Sequence, residues 1–393
     1  MDRPVTHDPA RQSSEGPGFS FESLSRRPDV EAENLQAHDA ADRLLLDTAA
    51  ERLRENGTGV VVIGDAYGAL TLGAAALHGV RGIRVHQDPY SGELALRRNA
   101  DAAGLAGTYR SLTLDAELLS GARTVLLRLP RSLDALEEIA ALIAASADPA
   151  VTVYAGGRLK HMTTAMNAVL ARWFGSVNAG LARQKSRVLT VSAPLPADRR
   201  PENRFPLAQQ HDVGLQAPLE LRAHGAAFAG ASLDIGTRFL LPHLAGARQA
   251  QTAVDLGCGT GAIAAYLALT RPALRVIATD QSAAAVASAT ATMAANRIAD
   301  RVEVRRDDAL SGMPDRSAEL IVLNPPFHIG ASVHAGIALK LFADAGRVLA
   351  PGGELWTVWN SHLTYKSALN RLVGPTREVA RNPKFTVTVS TRQ

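Results

Sequence analysis

At 393 residues, 46% apolar and 20% charged, the chain is too long for one ordinary domain and too apolar for a disordered protein. Two globular units are expected. A formal charge of +4 is compatible with a polyanionic partner but does not by itself argue for one. The single cysteine, Cys258, excludes a disulfide framework.

The opening stretch, MDRPVTHDPARQSSEGPG, lacks the apolar core of a signal peptide, and no apolar run reaches the roughly 18 residues of a membrane span. A cytoplasmic location is the expectation. Residues 1–35 are rich in Pro, Ser, Arg and acids without periodicity, and read as a flexible tail. Helical periodicity begins at AHDAADRLLLDTAAERL and is followed by the strand-like GVVVIG. Proline and charge return in APLPADRRPENRFPLAQQHDVGLQAP, so residues 196–218 read as a linker. The expected units are therefore 36–195 and 219–393.

The two halves repeat one programme. VIGDAYGAL at 62–70 lies over DLGCGTGAI at 255–263, IRVHQD at 83–88 over VIATDQ at 276–281, and TVLLRLPRS at 124–132 over LIVLNPPFH at 320–328. Such self-similarity indicates duplication. Where the second copy has Asp255, Gly259 and Asn324, the first has Val62, Ala66 and Arg128. The first copy keeps the apolar scaffold, in an expectedly smaller version, and loses the polar groups.

In the second copy, TAVDL predicts a strand ending at Leu256, and the turn with Gly257, Gly259 and Gly261 leads into a helix. Glycines there permit unusual dihedrals and close backbone approach, and a helix start offers free amides. Dinucleotide enzymes share that device, so the loop alone is weak evidence. Three acids sharpen it. Asp255, two residues before the first glycine, suits a cationic amine. Asp280, ending RVIATD, can accept hydrogen bonds from both ribose hydroxyls. Asp308, with Asp307, follows VEVRR and suits an adenine amino group. Together they outline a nucleoside that carries an ammonium group, for which S-adenosylmethionine fits better than NAD. The βα alternation predicts a doubly wound, mostly parallel sheet of about seven strands, whose last strands are GELWTVWN and FTVTVS.

VDLGCGTG, Asp280, Asp308 and NPPF resemble the motifs of class I S-adenosylmethionine-dependent methyltransferases that methylate amino groups. The resemblance is closer still to the bacterial rRNA guanine-N2 methyltransferases, which carry a degenerate copy before a catalytic one. FAGASLDIGTRFLLPHL, with Gly236 and Thr237, is similar to their segment before the glycine loop. WNSHLTYKSALNRLVGPTREVARNPKF is similar to the tail of the 23S enzymes. The resemblance spans about residues 38–393 and implies two tandem Rossmann-like domains, the first degenerate. It further implies S-adenosylmethionine as cofactor, which the acid spacing places in the second half alone, and ribosomal RNA or a ribosomal subunit as substrate.

LNPPFH then acquires a chemical meaning. An exocyclic amine on a base is a poor nucleophile, because its lone pair is delocalised into the ring. Asn324 and the carbonyl that follows it can each accept an N–H bond from that amine. Pro325 and Pro326 stiffen the carbonyl, and Phe327 offers a face for stacking worth roughly 1–3 kcal/mol. His328 fits a loop hydrogen bond as well as a site role. His224, His243, His334 and His362 read as incidental, and Cys258 has no catalytic partner in spacing. No HxE or CxxC spacing offers a metal site, and none is needed.

Arg158, Lys160 and His161, then Arg183, Lys185 and Arg187, form two basic clusters late in the first half. Phosphate contact competes there with a solvated face. The expected activity is methylation of a guanine N2 in 23S rRNA by a monomer. The alternatives are a 16S guanine, adenine N6 or a glutamine amide as target, or a non-catalytic ribosome-assembly RNA-binding factor.

Overall fold

The computed structural model describes residues 19–32, 34–55, 57–325 and 331–393, with the side chains of 331–335 excluded. In the first half, helices α1 (Ala40–Glu55), α2 (Ala69–His78), α3 (Tyr90–Ala102), α4 (Ala116–Leu119), α5 (Leu133–Ser146) and α6 (Thr164–Ala171) surround one sheet. Its strands are β1 (Val60–Ile63), β2 (Ile83–His86), β3 (Tyr109–Ser111), β4 (Thr124–Arg128), β5 (Thr152–Arg158), β6 (Phe174–Ala179) and β7 (Ser186–Pro194). The pair β8 (Leu207–His211) and β9 (Leu219–Ala223) follows.

The second half contains helices α7 (Ile235–Leu240), α8 (Ala262–Thr270), α9 (Ala283–Ala295), α10 (Ala331–Val348) and α11 (Lys366–Leu372). Its strands are β10 (Thr252–Leu256), β11 (Arg275–Asp280), β12 (Val302–Arg306), β13 (Ala318–Leu323), β14 (Leu349–Asn360), β15 (Thr376–Arg381) and β16 (Phe385–Thr391). The two sheets have the same order, β3-β2-β1-β4-β5-β7-β6 and β12-β11-β10-β13-β14-β16-β15, with seven strands each. In each, only β7 or β16 runs antiparallel to its neighbours. The first copy is thus not a reduced version. Its central strand VVVI and the neighbouring TVLLR are buried, as a sheet covered on both faces requires.

The tail reading fails for residues 19–32. Phe19 and Phe21 are 5% and 4% exposed and join the core of Leu45, Leu72 and Val85. Ser25 exchanges two hydrogen bonds with Asn99, and the Tyr67 hydroxyl donates to Asp29 at 2.6 Å. Two aromatics in a window dominated by Pro and Ser suffice to anchor the segment, because each buries a large apolar area.

The expected linker contains β8, which pairs with β9. The free edge of β9 lies along α9. Glu220, Arg222 and His224 donate backbone N–H bonds to Asn296, Thr292 and Ser288 at 3.1, 3.0 and 2.9 Å. Two strand residues advance about 6.7 Å and four helix residues about 6.0 Å, so alternate amides meet one polar side chain per turn.

The halves meet through matching loops. Tyr90 donates to the Gln281 carbonyl at 2.8 Å, and Ala283 donates to the Asp88 carbonyl at 2.9 Å. Asp88 aligns with Gln281 and Tyr90 with Ala283, so the contact has pseudo-two-fold symmetry, as in an isologous dimer. Arg306 joins it, reaching Glu93 at 2.8 Å and the Gln87 carbonyl at 2.6 Å. His224, read as incidental, closes a second contact with Glu138 at 2.6 Å.

Candidate active site and cofactor cavity

A cavity of about 410 Å³ opens at the carboxyl ends of β10, β11 and β13. Ligands bind at this place in open α/β sheets, and the volume is in the range of small-molecule sites. Gly257 and Gly259 have φ of +72° and +53°, and a Cβ on either would project into open space. Both line the cavity with Cys258, Thr260 and Asp280. Gly261 does not line it. Its φ is +79° and a Cβ there would sit 2.7 Å from Met293, so this glycine lets α8 approach α9.

Asp280 is gripped through both oxygens, Oδ2 by the Gly259 N–H and Oδ1 by the Ser282 N–H, each at 2.9 Å. Burial pushes its pKa up, against these amide bonds. The carboxylate is therefore fixed in orientation on the wall, as an acceptor for a diol must be. Burial likewise pushes the Cys258 thiol up, which leaves it an inert small residue.

Asp255 is not on the wall. It is fully buried, and its Oδ2 accepts the Ala264 N–H in the first turn of α8 at 2.9 Å. The first copy holds the equivalent amide, that of Thr71, with Asp65 at 2.9 Å. Both copies thus anchor this helix turn by a carboxylate, and the direct contact with an ammonium expected of Asp255 is replaced by support of the loop. Among the described residues its Oδ1 has no partner, and burial raises its pKa to about 7, with a further push from Asp280.

Asp308 lies on the wall but is bound to Lys340 Nζ, 2.6 and 2.5 Å from its two oxygens. Neighbouring Asp307 accepts Ser311 Oγ and the Gly312 N–H. Lys340, on α10, has no motif in the sequence to mark it.

At the end of β13, Asn324 and Pro325 line the cavity. Asn324 Nδ2 donates to Asp234 Oδ2 at 2.8 Å and to Thr237 Oγ1 at 3.0 Å. Asp234 also accepts the Thr237 N–H at 2.9 Å, which caps α7. With the amide's donor side held, Oδ1 remains buried without a partner among the described residues. A buried acceptor left open at a cavity is costly unless a ligand donor completes it. Thr237 thus lines the cavity and orients Asn324, whereas Gly236 packs against Phe385. Pro326, Phe327 and His328 lie outside the described residues.

Five cavity residues come from the first half: Pro28, Asp29, Val30, Asp88 and Ser91. Sequence reading assigned none of them. The first copy's own loop is filled by its own side chains: Asp65 folds back onto the Gly68 and Thr71 amides, and Gln87 Nε2 donates to the Asp65 and Ala66 carbonyls. Arg128, at the place of Asn324, is ion-paired to Asp42 and Asp39.

The two basic clusters become one. Arg158 is opposite Ser186 and Gly157 opposite Arg187 across β5 and β7, and Leu159 donates to the Lys185 carbonyl at 2.9 Å. Gln184 and Lys185 form a tight turn with φ of +47° and +59°, presenting Arg183 and Lys185 at its tip. Among the described residues, none of Arg158, Lys160, Arg183, Lys185 and Arg187 pairs with an acid. Slight burial and then the charges of Arg131, Lys160 and Arg158 push the His161 pKa down. Among the described residues there is no His, Cys, Asp and Glu group that could hold a metal, and no helix long and apolar enough to cross a membrane.

A tandem Rossmann-like fold, a glycine loop facing a gripped acid and an Asn-Pro strand end together define a class I methyltransferase architecture, with one open site and one filled one. Residues 218–389 match the methyltransferase small domain and residues 16–195 the RLMG N-terminal domain. The chain belongs to the family of the ribosomal RNA large subunit methyltransferase G proteins. It is 38% identical to that protein from Streptomyces coelicolor, over 93% of this chain and 96% of the other. With the Pseudomonas aeruginosa protein it shares 37%, over 94% and 97%. The 16S rRNA N2 methyltransferase of T. thermophilus, solved in complex with AdoMet and guanosine, shares the fold. Its TM-score is 0.74 at 21% identity, covering 91% of this chain and 92% of that one.

Proposed function

We infer that the protein transfers a methyl group from S-adenosylmethionine to the exocyclic N2 of a guanine in large-subunit rRNA, acting as a monomer. The observation that carries this reading is the buried Asn324 Oδ1, unpartnered among the described residues, on the wall of a cavity floored by a glycine loop. Family relatives named for the large-subunit rRNA reaction support the choice of RNA.

The residues fit the cofactor. Gly257 and Gly259 leave room for close approach, and Asp280 offers a fixed carboxylate to a ribose diol. When bound, S-adenosylmethionine supplies an electrophilic methyl on a sulfonium. The protein's own part is to hold the amine. Asn324 Oδ1 and the Pro325 carbonyl accept its two N–H bonds and draw its lone pair out of conjugation with the ring. Rate then comes mainly from positioning and from acceptors that strengthen as positive charge develops on nitrogen. The fused basic cluster of Arg158, Lys160, Arg183, Lys185 and Arg187 supplies phosphate contacts, which place the RNA without reading its sequence.

The test is methylation of purified 23S and 16S rRNA with labelled cofactor, followed by mass-spectrometric identification of the nucleoside. N2-methylguanosine in 23S RNA is the expected product. Label in 16S RNA, N6-methyladenosine or methylated protein would each overturn the reading.

A further inference from the structure

The first half has lost its own site yet builds part of the wall of the other. Asp88, in the loop after β2, is half-buried at the junction of the halves and faces the cavity. Its Oδ1 accepts the Ser282 hydroxyl at 2.9 Å and the Ala284 N–H at 2.9 Å. Ser282 is the N-cap of α9, with its Oγ accepting the Ala285 N–H at 3.1 Å. The Ser282 N–H also holds Asp280 Oδ1. One unbroken chain of bonds therefore runs from Asp88 through Ser282 and Asp280 to the Gly259 amide of the glycine loop.

Without Asp88, Ala284 has an open first-turn amide, and the Ser282 hydroxyl has lost the acceptor that fixes its rotamer. The paired backbone bonds of Tyr90 and Ala283 keep the two loops in register, so Asp88 cannot drift from the helix end. Ser91, whose Oγ donates to Gln281 Oε1 at 3.2 Å, closes the same corner.

We propose that Asp88 is a positioning residue of the cofactor site, contributed by the degenerate half of the same chain, which sets Ser282 and thereby the orientation of Asp280 towards the ribose. This rests on the cavity being the S-adenosylmethionine site. The degenerate copy is thus retained in part as a component of the cofactor pocket, which the second half does not complete alone.

The experiment uses the full chain and compares Asp88→Ala, Asp88→Asn and Asp88→Glu with Glu138→Ala, which breaks a second junction contact, made to His224 and Gly225, neither of which lines the cavity. Calorimetry gives the Kd of S-adenosylmethionine, and steady-state assays on 23S RNA give KM for each substrate and kcat. Asp88→Ala should raise cofactor Kd and KM between about fivefold and thirtyfold, the typical to upper effect of a lost helix cap. At saturating cofactor kcat should stay within about twofold, and KM for RNA should not move. Asparagine keeps an acceptor in place and should recover most of the affinity. Glutamate keeps the charge but shifts the acceptor by one methylene, and should bind weakly even though it folds, which decides the matter if the alanine variant does not. Cofactor affinity equal to the parent's in the alanine or glutamate variant overturns the proposal. So does an equal loss in Glu138→Ala, since junction stability would then be the whole effect. If the parent itself fails to bind S-adenosylmethionine, the cavity reading falls instead.

Discussion

Arg128 and Asn324 end equivalent strands and reach equivalent partners. Arg128 pairs with Asp42 and Asp39 at 2.5 and 2.7 Å, while Asn324 donates to Thr237 and Asp234 at 3.0 and 2.8 Å. Asp39 and Asp234 precede α1 and α7 respectively, with Asp42 and Thr237 three residues on. The first copy has thus filled with an ion pair the place where the second holds an amide for chemistry. Arg128→Asn should not awaken a second cofactor site, because Gln87 and Asp65 still fill the loop. It should destabilise the protein by about 3 kcal/mol, since removing one partner strands the other charge in the core. Burial already raises the Asp42 pKa to about 6 despite Arg128. Protonated Asp42 needs no cation, so the loss should shrink from pH 8 to pH 5. Urea unfolding of both proteins at the two values checks this, and an equal loss at each would refute it.

Asn324→Ala should retain cofactor affinity and lower methyl transfer at least about 100-fold, the scale of losing one preorganised transition-state partner. Single-turnover assays at saturating cofactor, beside calorimetry, separate the two effects. Equal loss of cofactor binding would instead make Asn324 a structural residue.

Asp280→Ala should weaken cofactor binding at least about tenfold, because a hydrogen bond to a charged group contributes roughly 1.5–3 kcal/mol. Gly259→Ala should act in the same direction for a different reason. Its Cβ would enter the cavity, and φ of +53° costs an L-residue about 1–2 kcal/mol. Equilibrium binding of S-adenosylmethionine to each variant decides, with parent-like affinity in either counting against its assigned place.

Sequence reading reached the tandem fold, and the structure brings the glycine loop, Asp280 and Asn324 to one cavity, because each lies on a strand end whose apolar run and turn residues are local signals. It misplaced Asp255, since a strand-end acid looks alike whether it faces a ligand or a helix amide. Asp65, which holds the corresponding amide from another position, was the clue. Asp88 and Lys340 carried no local signal, because their partners Ser282 and Asp308 lie 194 and 32 residues away. Phe19 and Phe21 were hidden by the composition of their window.

Asp255 predicts a pH dependence. Burial raises its folded pKa from 3.8 to about 7, so the stability tied to its protonated form is full below about pH 4 and lost as pH rises through 7. Asp255→Asn lacks that loss. Its stability relative to the parent should therefore improve between pH 5 and pH 8, by more than about 1.4 kcal/mol, the equivalent of one pH unit. Urea midpoints across the range give the difference, and parallel curves would show that Asp255 is ionised throughout.

The fused basic cluster makes the last prediction. Arg183 and Lys185 sit at a fixed hairpin tip, and Arg187 and Arg158 follow on the paired strands, opposite Gly157 and Ser186, with no acidic partner among the described residues. Cations held together without acids repel one another, and a polyanion relieves that repulsion. Leu181, 84% exposed beside them, adds an apolar face for a base or sugar. Each lost phosphate contact should lower the salt slope of RNA binding by about 0.7–0.9. Neutralising Arg183, Lys185 and Arg187 together should therefore flatten the slope by about two units and weaken binding regardless of RNA sequence. S-adenosylmethionine affinity should stay as in the parent, because none of the three lines the cavity. Binding measured from 50 to 300 mM salt on a 23S fragment and on an unrelated RNA of equal length is the check. An unchanged slope would make the cluster a solvated face, and a loss confined to the 23S fragment would make it a reader of sequence.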